Sequence, residues 1–218
     1  MRKWYDAWKQ DLLKHKFLIL LSIIILVLAN YASYFASMHV DKVNAISVPD
    51  LILDHIPIIN LEFIFIYGIF LVVVAIIIYS IIFNAKNLHC IIFQFSLLIL
   101  MRSFFIVLTH LAVPTGAVLV DDAPSFLSAL YFKNDLFFSG HTAIPFMAFL
   151  LFRKNNSNFS RKIAMFFLAM SFVLAATVLL MHVHYSIDVF AAFFITYGTF
   201  HIGEWICRKC AMKKIAFK

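Results

Sequence analysis

Two short segments carry residues whose types and spacing could do chemistry. The first reads His182-Val-His184-Tyr185-Ser186-Ile187-Asp188. His184 and Asp188 stand four apart, so on the first turn of a helix they face the same way. A carboxylate so placed holds one imidazole nitrogen as N–H and leaves the other as a nucleophile or base. Asp188 would also gain modestly from the positive end of the helix macrodipole. The second segment reads Asp135-Leu-Phe-Phe-Ser139-Gly140-His141-Thr142. Gly140 permits a tight turn into a helix and close approach of a ligand to backbone N–H groups, and a helix N-terminus is a ready anion site. Local spacing alone favours plainer explanations for both segments: an interfacial Asp188 beside a loop histidine, and a helix cap beside a bystander His141. Arg102 is the third feature, a lone charge inside an apolar stretch. A charge near a helix centre costs about 2.5–3.5 kcal/mol on insertion scales, so an internal partner is expected. That partner is either a carboxylate such as Asp188 or Asp135, or the oxygens of a phosphate, which suit a guanidinium fork. His15, His39, His55, His89, His110 and His201 read as interfacial or polar core residues, and His182 stays open.

The elements that must position these residues are membrane spans. The chain has 218 residues, 64% apolar and only 13% charged, with 26 Phe; its mean hydropathy is +0.95. Soluble domains are nearer half apolar and a quarter charged. This composition excludes a soluble enzyme, a disordered chain and a disulfide scaffold. Three cysteines make no framework. Cys207 and Cys210 form a lone C-x-x-C, weak as a metal signal and equally a membrane-proximal, acylated pair. No Asp, Glu, Lys or Arg occurs between Lys16 and Asp41, Glu62 and Lys86, Asp135 and Arg153, or Lys162 and Asp188, and Arg102 is the single one between Lys86 and Asp121. A spanning helix needs about 20 apolar residues. The expected fold is therefore all-α, a polytopic bundle of six spans near 17–36, 62–83, 89–110, 137–152, 163–182 and 187–206. The fourth span is short and carries Pro145.

Residues 1–16 read as a basic N-terminal segment rather than a cleaved signal. Trp4, Trp8 and Leu12 recur every fourth residue, which suits a helix lying at the membrane surface as well as a frayed tail. Residues 17–206 form the membrane domain and 207–218 a basic tail. Of the 18 Lys and Arg, 15 lie in the N-terminus, the loops after spans two and four, and the C-terminus. With six spans these segments share one side, which makes it cytoplasmic and puts both termini there. The excess of basic residues is then a topology signal and no nucleic-acid partner is expected. Both histidine segments fall at the opposite, outer face, though the charge pattern made no use of them. The outer segments 37–61 and 111–136 are the longest, as functional loops often are.

Ser139-Gly140-His141-Thr142 followed by His184-Tyr185-Ser186-Ile187-Asp188, on six spans, resembles the type 2 phosphatidic acid phosphatase (lipid phosphate phosphatase) superfamily, and within it the sphingomyelin synthase branch. Asp135 stands six before His141 as in that branch, the Arg102–Leu111 segment resembles its Arg-containing third-span motif, and Val48-Pro49-Asp50 resembles its Pro-Asp motif. The chain departs from the wider pattern in three places. The Lys-x6-Arg-Pro motif is missing, Val178 stands where an Arg precedes the second histidine motif, and Phe138 replaces a Pro. Cationic clamps are thereby lost and Arg102 is the best remaining candidate.

The resemblance implies a membrane enzyme acting on lipid phosphoesters. His184 would attack phosphorus, Asp188 would orient it, and His141 would protonate the leaving oxygen and then serve as base. Arg102, Ser139, Gly140 and Asp135 would bind substrate, and no metal or other cofactor is required. The partners are a phospholipid donor and either a lipid hydroxyl, of ceramide or diacylglycerol, or water; the first gives a headgroup transferase, the second a phosphatase or phospholipase C-like hydrolase. Composition points to a bacterial cytoplasmic membrane with the site facing outward, or otherwise an endomembrane with the site facing the lumen. Oligomeric state is not legible. A di-iron hydroxylase would need several histidine boxes, and a rhomboid protease would need Gly where Phe137 stands. A transporter or scaffold would put its sensitive residues at the midplane, where there is little besides Arg102.

Overall fold

The computed structural model describes residues 2–43, 45–118, 136–155 and 157–216, with backbone alone for 2–4 and 210–216. Asp135 lies outside the described residues, as does the side chain of Cys210. The fold is helical: α1 Arg2–Val40, α2 Glu62–Phe83, α3 Leu88–Leu108, α4 Gly140–Phe152, α5 Asn158–Leu180 and α6 Ser186–Ala216, with short 3-10 turns at Leu53–His55 and Ala85–Asn87. Among the described residues no strand forms, and one isolated parallel bridge joins Ile46 to Leu111. Among the described residues, four helices are long and apolar enough to cross a membrane, at Tyr5–Val40, Glu62–Phe83, Ala85–Leu108 and Asn158–Leu180.

The helices follow from the charge-free stretches, with three differences of extent; one is α6, which runs on past the expected end at 206 to Ala216, through the stretch expected as a basic tail. No Gly or Pro interrupts residues 2–40, so the basic N-terminal segment continues into the first span as one 39-residue helix. Trp8 Nε1 donates to Ile81 O at 2.7 Å, which docks that first part on the end of α2. The fourth apolar stretch yields only 13 helical residues, Gly140–Phe152. Inside it Pro145 has no N–H to give the carbonyl of His141 four residues earlier.

Helix α1 packs along α3, α4 on α5, and both α3 and α4 on α6. One core cluster joins Val72, Tyr79, Phe152, Phe167 and Leu174 from α2, α4 and α5. At the C-terminal end of α4 Tyr79 OH donates to Ser160 Oγ (2.6 Å), which donates to Phe152 O (3.0 Å). A second cluster joins Leu98, Phe138, Met147 and Phe200 between α3, α4 and α6. The bundle exterior carries exposed apolar side chains such as Phe17, Phe63, Phe172 and Phe194, as lipid contact requires.

One glycine sets the α3–α6 approach. Gln94 is buried on α3 and its Nε2 donates to Phe200 O at 3.0 Å. A Cβ at Gly203 would overlap the Gln94 amide. Gly203→Ala must displace Gln94 or part the helices, at about 1–3 kcal/mol. The thermal midpoint of the solubilised protein should fall by several degrees; an unchanged midpoint would show that this approach is not tight.

Candidate functional site

The two histidine segments meet at one end of the bundle, at the starts of α4 and α6. Helix α5 closes on a Schellman motif: His182 N–H donates to Leu179 O (2.9 Å) and Val183 N–H to Val178 O (3.1 Å). Glycine usually fills the left-handed position of that motif, yet here it is His182, at φ 55°. The chain turns sharply, and Ser186 begins α6 just two residues after His184.

On that first turn the expected pair forms. His184 Nδ1 lies 3.0 Å from Asp188 Oδ2. The same oxygen accepts Tyr185 N–H at 3.0 Å. Asp188 is wholly buried and His184 is 8% exposed, so the pair is held in a dry setting that opens narrowly outward. With the Nδ1 proton directed at the carboxylate, Nε2 carries the lone pair.

His141 sits in the first turn of α4. Its ring stacks on Phe65 of α2, with centroids 4.0 Å apart, and its Nε2 is buried with no hydrogen-bond partner among the described residues. His184 and Arg102 both lie close enough for a positive charge on either to act on this ring, which places the three groups in one neighbourhood. The α4 start is tied to α6 directly, Ser139 N–H donating to Asp188 O at 3.3 Å. Ser139 occupies the N-cap position, but its side chain caps no backbone N–H and instead accepts from the Thr142 hydroxyl at 3.2 Å. Among the described residues, the first-turn amides of Gly140, His141 and Thr142 therefore meet no side-chain cap, as at any uncapped helix start. Just before it, Phe137 is left-handed at φ 76°, a strained state for a bulky residue.

Arg102 points into the bundle from α3. Its Nε donates to Phe138 O at 3.4 Å and lies 3.8 Å from where a Gly140 Cβ would be. Of the expected site residues, Arg102, Ser139, Gly140, His141, His184 and Asp188 thus surround the starts of α4 and α6. Cys207 lies beside Cys90 of α3, and among the described residues no group of three or more His, Cys, Asp or Glu could hold a metal.

Residue chemistry alone did not single out the outer-loop partners. Tyr185 OH accepts Val48 N–H (3.1 Å) and donates to Ala112 O (2.8 Å). Asp50 is 8% exposed. Its Oδ1 accepts the amides of Ile52 (2.9 Å) and Leu53 (3.1 Å). Its Oδ2 accepts the amide (2.7 Å) and hydroxyl (2.9 Å) of Ser186. Burial alone would raise this carboxyl; the hydrogen bonds from Leu53, Ser186 and Ile52 outweigh it and hold Asp50 below the usual carboxylate range. The one available signal was the Val48-Pro49-Asp50 motif. A cavity of about 170 Å³ adjoins this loop, lined by Asp50, Asp54, Thr115, His182 and Tyr185 among others.

Residues 134–205, about a third of the chain, match the family model described as PAP2 superfamily C-terminal. The matched stretch contains both histidine segments and supports the type 2 phosphatidic acid phosphatase superfamily. No curated protein matches the chain significantly.

Proposed function

We propose that this chain, on the premise of that superfamily match, is a multi-pass membrane enzyme that moves a phosphorylated headgroup from a phospholipid to a lipid hydroxyl. The family match fits a phosphatase or phosphotransferase of lipid phosphoesters. The observation that carries the histidine-linked chemistry, common to transfer and hydrolysis, is the buried His184–Asp188 pair, 3.0 Å between Nδ1 and Oδ2, at the start of α6 and tied to the start of α4.

In the proposed reaction His184 Nε2 attacks phosphorus in line. A P–N bond forms, the P–O bond to diacylglycerol breaks, and His141 gives its proton to the departing oxygen. His141 then takes the proton of the acceptor hydroxyl, which attacks phosphorus and frees His184. Asp188 keeps the imidazole oriented and offsets its positive charge, as the carboxylate of a catalytic triad does. Arg102 and the first-turn amides of α4 stabilise the phosphoryl oxygens; Ser139 and Gly140 shape that turn, and Asp135 belongs to the same substrate-binding set. The scheme needs no metal. It places six spans in the bilayer, both termini in the cytoplasm, and the site on the outer face of a bacterial cytoplasmic membrane.

Ceramide or diacylglycerol is the proposed acceptor, on the likeness to the sphingomyelin synthase branch. Hydrolysis is the second reading, with water in place of the lipid hydroxyl; a cavity of about 170 Å³ with both polar and apolar lining lies beside Tyr185, next to the pair. Product analysis by mass spectrometry separates the two. Purified protein is given mixed phospholipids with ceramide and diacylglycerol, beside His184→Ala. A headgroup on an acceptor lipid, dependent on His184, supports transfer; free phosphate or free phosphorylated headgroup supports hydrolysis.

Arg102→Ala should lower kcat/KM by about 10²–10³-fold, the size of a lost charge-stabilising donor. Arg102→Lys should recover only part, because an ammonium lacks the planar fork. Full activity in Arg102→Ala would remove it from the site.

A further inference from the structure

We propose that Asp50 is a positioning residue for the His184–Asp188 pair, acting as a cap on α6 supplied from the first outer loop. The inference rests on the reading of His184 as nucleophile. A helix start leaves its first amides without acceptors. In a capping box the N-cap side chain takes one of these amides, and the carboxylate at N3 reaches back to the N-cap amide. Here α6 begins at Ser186, so Tyr185 is N-cap and Asp188 is N3. Asp188 performs its half, since Oδ2 accepts Tyr185 N–H at 3.0 Å. Tyr185 cannot perform the other, because its hydroxyl is engaged with Val48 and Ala112.

The Asp188 amide goes to Tyr185 O instead, at 3.1 Å, and Asp50, from 136 residues away, supplies an acceptor for a different first-turn amide, that of Ser186. One of its oxygens binds the Ser186 amide and hydroxyl, while the other is fixed by Ile52 and Leu53 in its own loop. The carboxylate thus has two anchors in the loop and two in α6. Tyr185 adds a second tie between the same segments. Asp188 Oδ2 serves both the helix start and His184 Nδ1, so any slide of the first turn moves the carboxylate off the imidazole. Misplacement by about 1 Å costs on the order of 10²-fold in rate.

The test uses the full-length protein in detergent with dioctanoyl phosphatidic acid and dioctanoyl phosphatidylcholine as probes. Asp50→Asn keeps the Oδ1 contacts but turns an NH₂ towards the Ser186 amide. With activity normalised to the folded fraction, it should lower kcat about 10²-fold with KM within about twofold; loss of folded protein also leaves KM unchanged, and the normalisation removes that contribution. Ser186→Ala keeps the 2.7 Å backbone tie and should cost about fivefold in kcat, one hydrogen bond's worth; it carries the test if Asp50→Asn fails to fold. Adding Ser186→Ala to Asp50→Asn should cost nothing further, because both remove one shared interaction. Unchanged kcat in Asp50→Asn, or in Ser186→Ala where that variant carries the test, overturns the inference, as does a raised KM at constant kcat. His184→Ala is run in parallel. If it is inactive while Asp50→Asn is fully active, the positioning role alone fails; if it is active, the nucleophile reading fails first.

Discussion

His184→Ala should abolish turnover, with a loss of about 10⁴-fold or more in kcat. The imidazole makes the P–N bond in the proposed scheme, and no neighbouring group can replace it. His141 is held flat against Phe65 on another helix. Asp188 is wholly buried; its Oδ2 is engaged by His184 and Tyr185, and its Oδ1 is buried without a hydrogen-bond partner among the described residues. Asp188→Asn should be nearly as damaging, because an amide can hold the wrong tautomer, as in hydrolase triads. Both variants should express and keep their thermal midpoints within a few degrees if the loss is chemical. Activity above a tenth of wild type in His184→Ala would exclude it as nucleophile.

The second large effect is expected at His141. His141→Asn removes the acid that protonates the leaving oxygen and should cost about 10²–10⁴-fold with natural lipids. The size should depend on the leaving group. A p-nitrophenyl phosphodiester departs without protonation, so formation of the His184 adduct should be nearly as fast in His141→Asn as in wild type. The deficit then appears in the second step, where the base is missing, and the adduct accumulates. An equal loss in the rate of adduct formation with both leaving groups would assign His141 to binding rather than to proton transfer.

Much of the bundle was legible because charge is so costly in a bilayer that its absence marks the spans. The second span was expected at 62–83 and the helix runs Glu62–Phe83; the third, at 89–110, is found at Leu88–Leu108. Extents were harder. Nothing in the composition of residues 2–16 says whether a basic amphipathic stretch stops or continues, and the absence of Gly and Pro let it continue. Local spacing left plainer explanations for His-x-x-x-Asp on a helix start and Ser-Gly-His before another; the two motifs in order, on one face, and their resemblance to a known superfamily are what named the site residues. What holds them is long-range. No local rule links Asp50 to Ser186, or Phe65 to His141. His182 and Phe137 adopt left-handed backbone although neither residue type predicts it; the helix end at His182 and the turn before Ser139 impose it.

The most direct test of the central claim is to trap the intermediate. Purified protein is mixed with dioctanoyl phosphatidic acid or phosphatidylcholine, quenched in alkali, where phosphoramidates survive, and digested for peptide mass spectrometry. The account predicts a phosphoryl or phosphorylated-headgroup adduct on His184, formed at least as fast as turnover, lost on acid treatment and missing in His184→Ala. Turnover with the adduct on another residue, or with no adduct on His184 at any time during the first cycle, would contradict it.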